Sequence, residues 1–288
     1  MRIEWYPGHM TKAKRAMQDS LKLVDSIIEI RDARIPASSA NPDLDALSKG
    51  KNRLLILNKA DLADPEQNKI WKEHFLKEYG FCIIMDSRER KACADILKTL
   101  DRLAAEKKIR DSKRGILSRP MRIMIAGIPN VGKSTLINSL SGKASTKTGD
   151  KPGVTKGLQW IRLNPSLELL DTPGILWPKL GDERVGTHLA LMGAINADIL
   201  PAEDLAAYGV SLMKKQYPDA LNEKYGIIEE DTRCFLSMLA KKQGLLMKGG
   251  EIDFSRACHR FLDDMQKGKI GRITLEHPSP IEIKENNS

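Results

Sequence analysis

The most specific chemistry in the chain lies in eight consecutive residues. Gly127-Ile128-Pro129-Asn130-Val131-Gly132-Lys133-Ser134 fits G-x-x-x-x-G-K-[ST]. The apolar run Met121–Ala126 precedes it and a helical Thr135-Leu136-Ile137-Asn138-Ser139-Leu140 follows, the strand–loop–helix setting the motif requires. Glycines let the backbone wrap closely, so that N–H groups from Asn130, Val131 and Gly132 through Thr135 hold phosphate oxygens at a helix N-terminus. Lys133 then reaches the β- and γ-phosphates, and the Ser134 hydroxyl binds magnesium.

A second set of residues suits a base. Asn58-Lys59-Ala60-Asp61 closes the apolar run Leu54–Leu57. A carboxylate at Asp61 accepts two hydrogen bonds from the N1–H and exocyclic amine of guanine, an arrangement adenine does not offer. Rejection of the wrong base by roughly a thousandfold follows if that carboxylate is otherwise left unpaired. Asp86-Ser87, after Phe81–Met85, stands where a second base-contacting loop would be. D-x-x-G occurs twice, as Asp150-Lys151-Pro152-Gly153 and Asp171-Thr172-Pro173-Gly174. Only the second follows an apolar run, Leu167–Leu170. There Asp171 would aim at a magnesium water shell and Gly174 would offer its N–H to the γ-phosphate. The polar stretch Ser145–Thr155 reads as a switch, with Thr155 giving its hydroxyl to magnesium when the γ-phosphate is present.

These groups need a scaffold. Strand-like runs at Leu23–Ile30, Leu54–Leu57, Phe81–Met85, Met121–Ala126 and Leu167–Leu170 alternate with helical patterns. Near-continuous apolar strands separated by helices argue for an α/β fold with a mostly parallel sheet covered on both faces. After about Gly174 the strands stop, and residues 185–265 show helical periodicity through Leu189, Met192, Ile195, Leu205, Val210, Met213, Phe235, Met238, Leu239, Phe261, Leu262 and Met265. The chain therefore divides into a nucleotide-binding domain over 1–184 and an all-helical C-terminal domain over 185–288. Lys107–Arg119 reads as an exposed basic connector.

Composition sets the class. The 288 residues are 41% hydrophobic and 30% charged, which excludes wholesale disorder. No apolar run approaches the ~18 residues of a membrane span. Cys82, Cys93, Cys234 and Cys258 form no C-x-x-C pair and read as buried thiols, so a soluble cytoplasmic protein is expected. Net charge is +9; residues 1–190 carry 34 basic against 23 acidic side chains, and residues 191–288 carry 13 against 15. A polyanionic partner would meet the first two-thirds. The basic groups Lys12, Lys14 and Arg15, the Lys107–Arg119 stretch, and Lys267, Lys269 and Arg272 are its candidate contacts.

The order of the motifs is unusual, because the base-reading Asn58–Asp61 precedes the phosphate loop at Gly127. The set resembles the circularly permuted GTPases. Arg31-Asp32-Ala33-Arg34-Ile35-Pro36 and Pro7-Gly8-His9-Met10 make it similar to those that act in ribosome assembly. Ser87 departs from the S-A-x form of many GTPases. The resemblance implies a permuted P-loop sandwich and a GTP/GDP switch in late assembly of the large ribosomal subunit. It further implies rRNA contact, hydrolysis stimulated by the particle, no membrane and no DNA. Magnesium is the implied cofactor, and Asn130 is the type of residue that recruits potassium. Ile175, after Gly174, cannot orient water as a Gln would, and the resembled family puts His9 in that catalytic role. The rival readings are a nucleotide-regulated RNA-binding module without turnover, and a small-subunit assembly GTPase. The second would carry an N-terminal barrel and a Cys/His zinc motif, neither of which this sequence displays.

Overall fold

Ser26–Asp32 is buried along its whole length, as a strand must be when it sits mid-sheet with both faces covered. It is β1 of a computed structural model that describes residues 18–48, 50–117, 119–142, 159–172, 182–195 and 200–278. Helical residues 18–23 (α1) lead into β1. There follow α2 (Pro42–Leu47), β2 (Asn52–Asn58), α3 (Pro65–Tyr79), β3 (Cys82–Ile84), α4 (Arg90–Lys113), β4 (Met121–Gly127), α5 (Lys133–Ser141), β5 (Gln159–Asn164) and β6 (Leu167–Asp171). The later described elements are helices: α6 (Glu183–Leu191), α7 (Ala202–Gln216), α8 (Pro218–Tyr225), α9 (Thr232–Lys242) and α10 (Phe254–Gln266).

The six strands run in the order β3-β2-β1-β4-β6-β5. Every pair is parallel except β5 with β6. From β1 the chain winds outward through β2 to β3, then returns to place β4 on the other side of β1. That reversal opens a crevice beyond the carboxyl ends of β1 and β4, where α/β sheets bind ligands. Alternation along the strands sorts the core. Ile27, Met124, Ala126 and Leu170 pack with Leu21 and Leu44, and Leu55 and Leu57 pack with Trp71 and Phe75. Ile28, Ile30, Ile56, Ile123 and Ile125 face the other way, onto Ile96, Leu100, Leu136 and Ile137. That second cluster continues without a break into Leu189, Val210, Phe235 and Phe261 of the C-terminal helices.

Two charged residues inside β1 are accommodated by mutual pairing. Arg31 Nε donates to Glu29 Oε1 at 2.9 Å, Arg53 also pairs with Glu29, and the Arg31 guanidinium lies 4.9 Å from the Phe75 ring centre. Burial alone would raise Glu29, but Arg31 and Arg53 outweigh it and hold the carboxyl below its ordinary range.

Three expectations need correction. Leu23 belongs to α1, not to the first strand; it is 48% exposed, and the strand begins only at Ser26. The sequence reading missed β5, because an antiparallel edge strand with only Ile161 buried has no apolar run to betray it. Residues 107–113 are the last turns of α4, not a connector, and Lys107 is tied to Asp111 at 2.6 Å. Two smaller corrections are that Cys234 and Met238 are exposed. No described helix is long and apolar enough to cross a membrane.

Candidate nucleotide-binding site

The carboxyl ends of β1, β2, β4 and β6 deliver Asp32, Asn58, Gly127 and Asp171 to one rim of the sheet. The strand registers pair Asp32 with Asn58, Ile30 with Gly127, and Ile125 with Asp171.

The phosphate loop joins β4 to α5 with two residues in left-handed backbone, Asn130 (φ 57°) and Gly132 (φ 102°). A Cβ on Gly127 would stand 2.6 Å from the Ile30 carbonyl oxygen, and one on Gly132 would stand 2.3 Å from Asn58 Nδ2. Both glycines are thus required by close approach, and Gly132 by its left-handed backbone as well. Gly132 caps α5, so Lys133, Ser134 and Thr135 form its first turn, with backbone N–H groups that have no intrahelical acceptor. Lys133 curls back over the loop and donates to the carbonyls of Gly127 (3.1 Å) and Ile128 (2.8 Å). Burial pushes its ammonium down to about 8, and the Asp171 carboxylate offsets only part of that. Asp171 is wholly buried, and its neighbour Thr172 anchors the strand end by donating to the Ile125 carbonyl at 2.7 Å.

The Asn58–Asp61 loop is fastened to the phosphate loop by Asn58. Its Nδ2 donates to the Val131 carbonyl at 2.7 Å, and its Oδ1 accepts from Ser87 N at 2.8 Å and Ser87 Oγ at 2.6 Å. One side chain therefore ties three loops together, and the buried Ser87 serves Asn58. Lys59 has left-handed backbone (φ 61°) and reaches Asp32 Oδ2 at 3.0 Å. Asp32 also takes a two-point contact from the buried Arg34, at 3.0 and 2.8 Å. Burial would raise Asp32, but Arg34 and Lys59 hold it well below the usual carboxylate range. Asp61 Oδ2 accepts from Arg88 Nη2 at 2.6 Å, and Arg88 also pairs with Asp86 at 2.7 Å. Hydrogen bonding to Arg88 lowers the Asp86 carboxyl.

The structure brings Asn58, Lys59 and Asp61 together with Asp86 and Ser87, and joins them to the loop from Asn130 to Thr135. His9, Thr155, Gly174 and Ile175 lie outside the described residues, as do Lys12, Lys14 and Arg15. Asn130, read as a cation ligand, donates its amide to the Gly193 carbonyl at 2.8 Å, beyond the end of α6. Sequence reasoning missed Arg88, which lies in no motif, and Thr172, which fills an unspecified position of D-x-x-G. Arg272, one of the candidate RNA contacts, donates its guanidinium to the Ala60 and Ala63 carbonyls at 2.9 and 3.0 Å. Other members of the basic groups are paired too: Arg119 with Asp25, Lys267 with Asp263, and Lys269 with Asp264.

Among the described residues, no group of three His, Cys, Asp or Glu side chains could hold a metal ion alone. What is present, a hydroxyl at Ser134 and a buried carboxylate at Asp171, suits magnesium that arrives with nucleotide phosphates and needs one or two protein oxygens.

A phosphate loop after β4 and an N-K-x-D loop after β2, on one mostly parallel sheet, define a circularly permuted P-loop GTPase. A family profile described as "50S ribosome-binding GTPase" matches residues 122–238, which includes the phosphate loop and excludes Asn58–Asp61. Ribosome biogenesis GTPase A of Bacillus cereus is 44% identical over 280 residues, spanning 96% of this chain and 95% of that one. The GDP-bound structure of YlqF superposes with a TM-score of 0.67 at 30% identity, covering 91% of this chain and 98% of that one. The GNP-bound YlqF of Thermotoga maritima gives 0.65 at 32% identity, covering 94% and 100%. The chain belongs to the ribosome biogenesis GTPase A family, and it is an enzyme that hydrolyses GTP.

Proposed function

We propose that this GTPase is a magnesium-dependent switch in late assembly of the large ribosomal subunit, with hydrolysis stimulated by the particle and rRNA among its contacts. Residues 1–184 would bind nucleotide, and residues 185–288 would carry the ribosome-facing response. The observation that carries this reading is that both halves of the nucleotide site reach the C-terminal helices. Asn130 of the phosphate loop donates to Gly193, and Arg34, which braces Lys59 through Asp32, donates to the Gln266 carbonyl at 2.8 Å. The residues around Gly193 and Gln266 therefore meet both loops, and a nucleotide-dependent shift in either has a path into the helices. The large subunit is supported by the 50S wording of the matching profile and by the assembly role in the relatives' name.

Within that reading, Asp61 accepts from guanine, Lys133 meets the β- and γ-phosphates, and the N–H groups of residues 130–135 hold their oxygens. Ser134, Thr155 and Asp171 attend the magnesium ion, which supplies charge neutralisation when bound. Gly174 N–H contacts the γ-phosphate, Asn130 is the candidate potassium ligand, and His9 orients the attacking water. Single-turnover hydrolysis with purified subunits tests the whole. Large subunits should accelerate the rate and small subunits should not. His9→Ala should cut the accelerated rate by roughly 10²-fold, the usual size of a positioned acid–base contribution, with particle binding and nucleotide affinity nearly unchanged. Acceleration by small subunits, or by neither, would overturn the assignment.

A further inference from the structure

The five residues from Ala60 to Asp64 carry the base-reading carboxylate, and half of the hydrogen bonds to their backbone come from more than two hundred residues further along the chain. Ala60 O accepts from Arg272 Nη2 at 2.9 Å, Leu62 O accepts from Ile273 N at 3.0 Å, and Ala63 O accepts from Arg272 Nε at 3.0 Å. Asp64 N donates to Thr274 Oγ1 at 3.2 Å. The Thr274 N–H in turn donates to Tyr217 Oη at 2.9 Å, and Tyr217, between α7 and α8, lies 3.2 Å from Asp64 Oδ2. Ile273 and Thr274 are buried, and the strap continues as Leu275 N donates to the Arg34 carbonyl at 2.8 Å. Gly268, just after α10, lies against Leu62, where a Cβ would meet the Leu62 side chain at 2.7 Å.

A half-buried loop at the end of a strand has backbone carbonyls that must find partners or water. Here the Arg272 fork takes two of them, on either side of Leu62, and so fixes the spacing of the residues flanking Asp61. A guanidinium holds its donors in one rigid plane, whereas the donors of an ammonium rotate on a flexible stem. The Asp61 side chain can discriminate guanine only if its carboxylate plane is held to within a fraction of an ångström.

We propose that the strap Arg272–Thr274 completes the guanine site: Arg272 and Thr274 are positioning residues that set Asp61 for base recognition from behind. The inference rests on Asp61 being the base-reading carboxylate. It gives the C-terminal region a direct part in nucleotide affinity, and by linkage bound nucleotide must hold the strap as much as the strap holds nucleotide.

The test measures dissociation constants for GDP and IDP by equilibrium titration of the full chain. Inosine lacks the exocyclic amine, so the GDP-over-IDP ratio reads the second hydrogen bond to Asp61. Arg272→Ala should weaken GDP about tenfold and reduce the GDP-over-IDP ratio at least about threefold, the scale of lost charge-assisted hydrogen bonds. The turnover number at saturating GTP should stay within about twofold, since the chemistry lies at the phosphates. Thr274→Val should act in the same direction and less. Arg272→Lys, which keeps the charge and loses the fork, should recover part of the affinity and serves if Arg272→Ala does not fold. GDP and IDP weakened equally, or neither weakened, would overturn the proposal, as would loss of particle binding alone. Asp61→Asn runs in parallel: if it leaves GDP affinity and the ratio unchanged, the base-site assignment itself has failed, whatever Arg272 does.

Discussion

The two halves of the nucleotide site are built on opposite plans. The phosphate half is local: Gly127, Gly132 and the first turn of α5 make the loop, and Lys133 folds back onto carbonyls five and six residues away. The base half is assembled from afar. Asp61 and its neighbours lean on Arg272, Ile273, Thr274 and Tyr217, while Lys59 leans on Asp32, Arg34 and through them Gln266. Local construction makes the first half stiff by covalent geometry. Distant construction ties the second half to the C-terminal region through several contacts, where the phosphate loop is tied to it through Asn130 and Gly193.

The largest expected effect is at the tip of the base half. Asp61→Asn should weaken GDP by roughly 10²- to 10³-fold, since a site built to accept guanine's two donors would instead present an amide. Xanthosine diphosphate should gain affinity, because the new N–H₂ can donate to its 2-oxo group. Equilibrium titration of both nucleotides checks this, and unchanged GDP affinity would remove Asp61 from the base site.

The contrast between the halves also decides what the sequence could disclose. Much that is local was legible: the strand–loop–helix of Gly127–Ser134, the strands that carry Asn58 and Asp171, and the helical periodicity of the last third; the helical Leu23 and the charged last turns of α4 were the local exceptions. What else escaped depends on tertiary contact. Gln159–Asn164 pairs antiparallel at the sheet edge with one buried side chain, so no periodicity announces it. Arg88 and Arg272 carry no spacing rule, and their partners are set by how loops converge. Asn58 was read as a nucleotide contact from its motif. Its role as a brace between Val131 and Ser87 becomes visible only when β2 and β4 sit either side of β1.

An intermediate effect is expected where the halves touch. Gly132 has φ 102° and faces Asn58 Nδ2. Gly132→Ala would add strain of about 1–3 kcal/mol from backbone alone. It would also push Asn58 away from Val131, loosening both halves together. Affinity should fall by about 10- to 100-fold for GDP and IDP alike, unlike the selective loss expected at Asp61. A lowered GDP-over-IDP ratio would show that the damage also reaches Asp61.

The smallest effect is a proton count, and it reports on the phosphate half alone. Burial brings Lys133 down to about 8, well below the 10.5 of a free lysine. The sign for folding follows directly. Between those values the unfolded chain holds the Lys133 proton while the folded chain has released it. Stability from this group therefore rises with pH across about 8 to 10.5, and below 8 the folded protein bears the full cost of a buried charge. Binding runs the other way. Phosphate oxygens beside the ammonium favour its charged form, so nucleotide binding should draw a proton from solution once the free protein has begun to lose it. At pH 8, where the group is half deprotonated, uptake should be about half a proton per GDP, and near pH 6.5 close to none. Calorimetric titration in two buffers of different ionisation enthalpy measures that number directly. Lys133→Arg should abolish the uptake at pH 8, because a guanidinium stays charged throughout. Uptake that persists in Lys133→Arg would assign the proton to another group and return Lys133 to an ordinary ammonium.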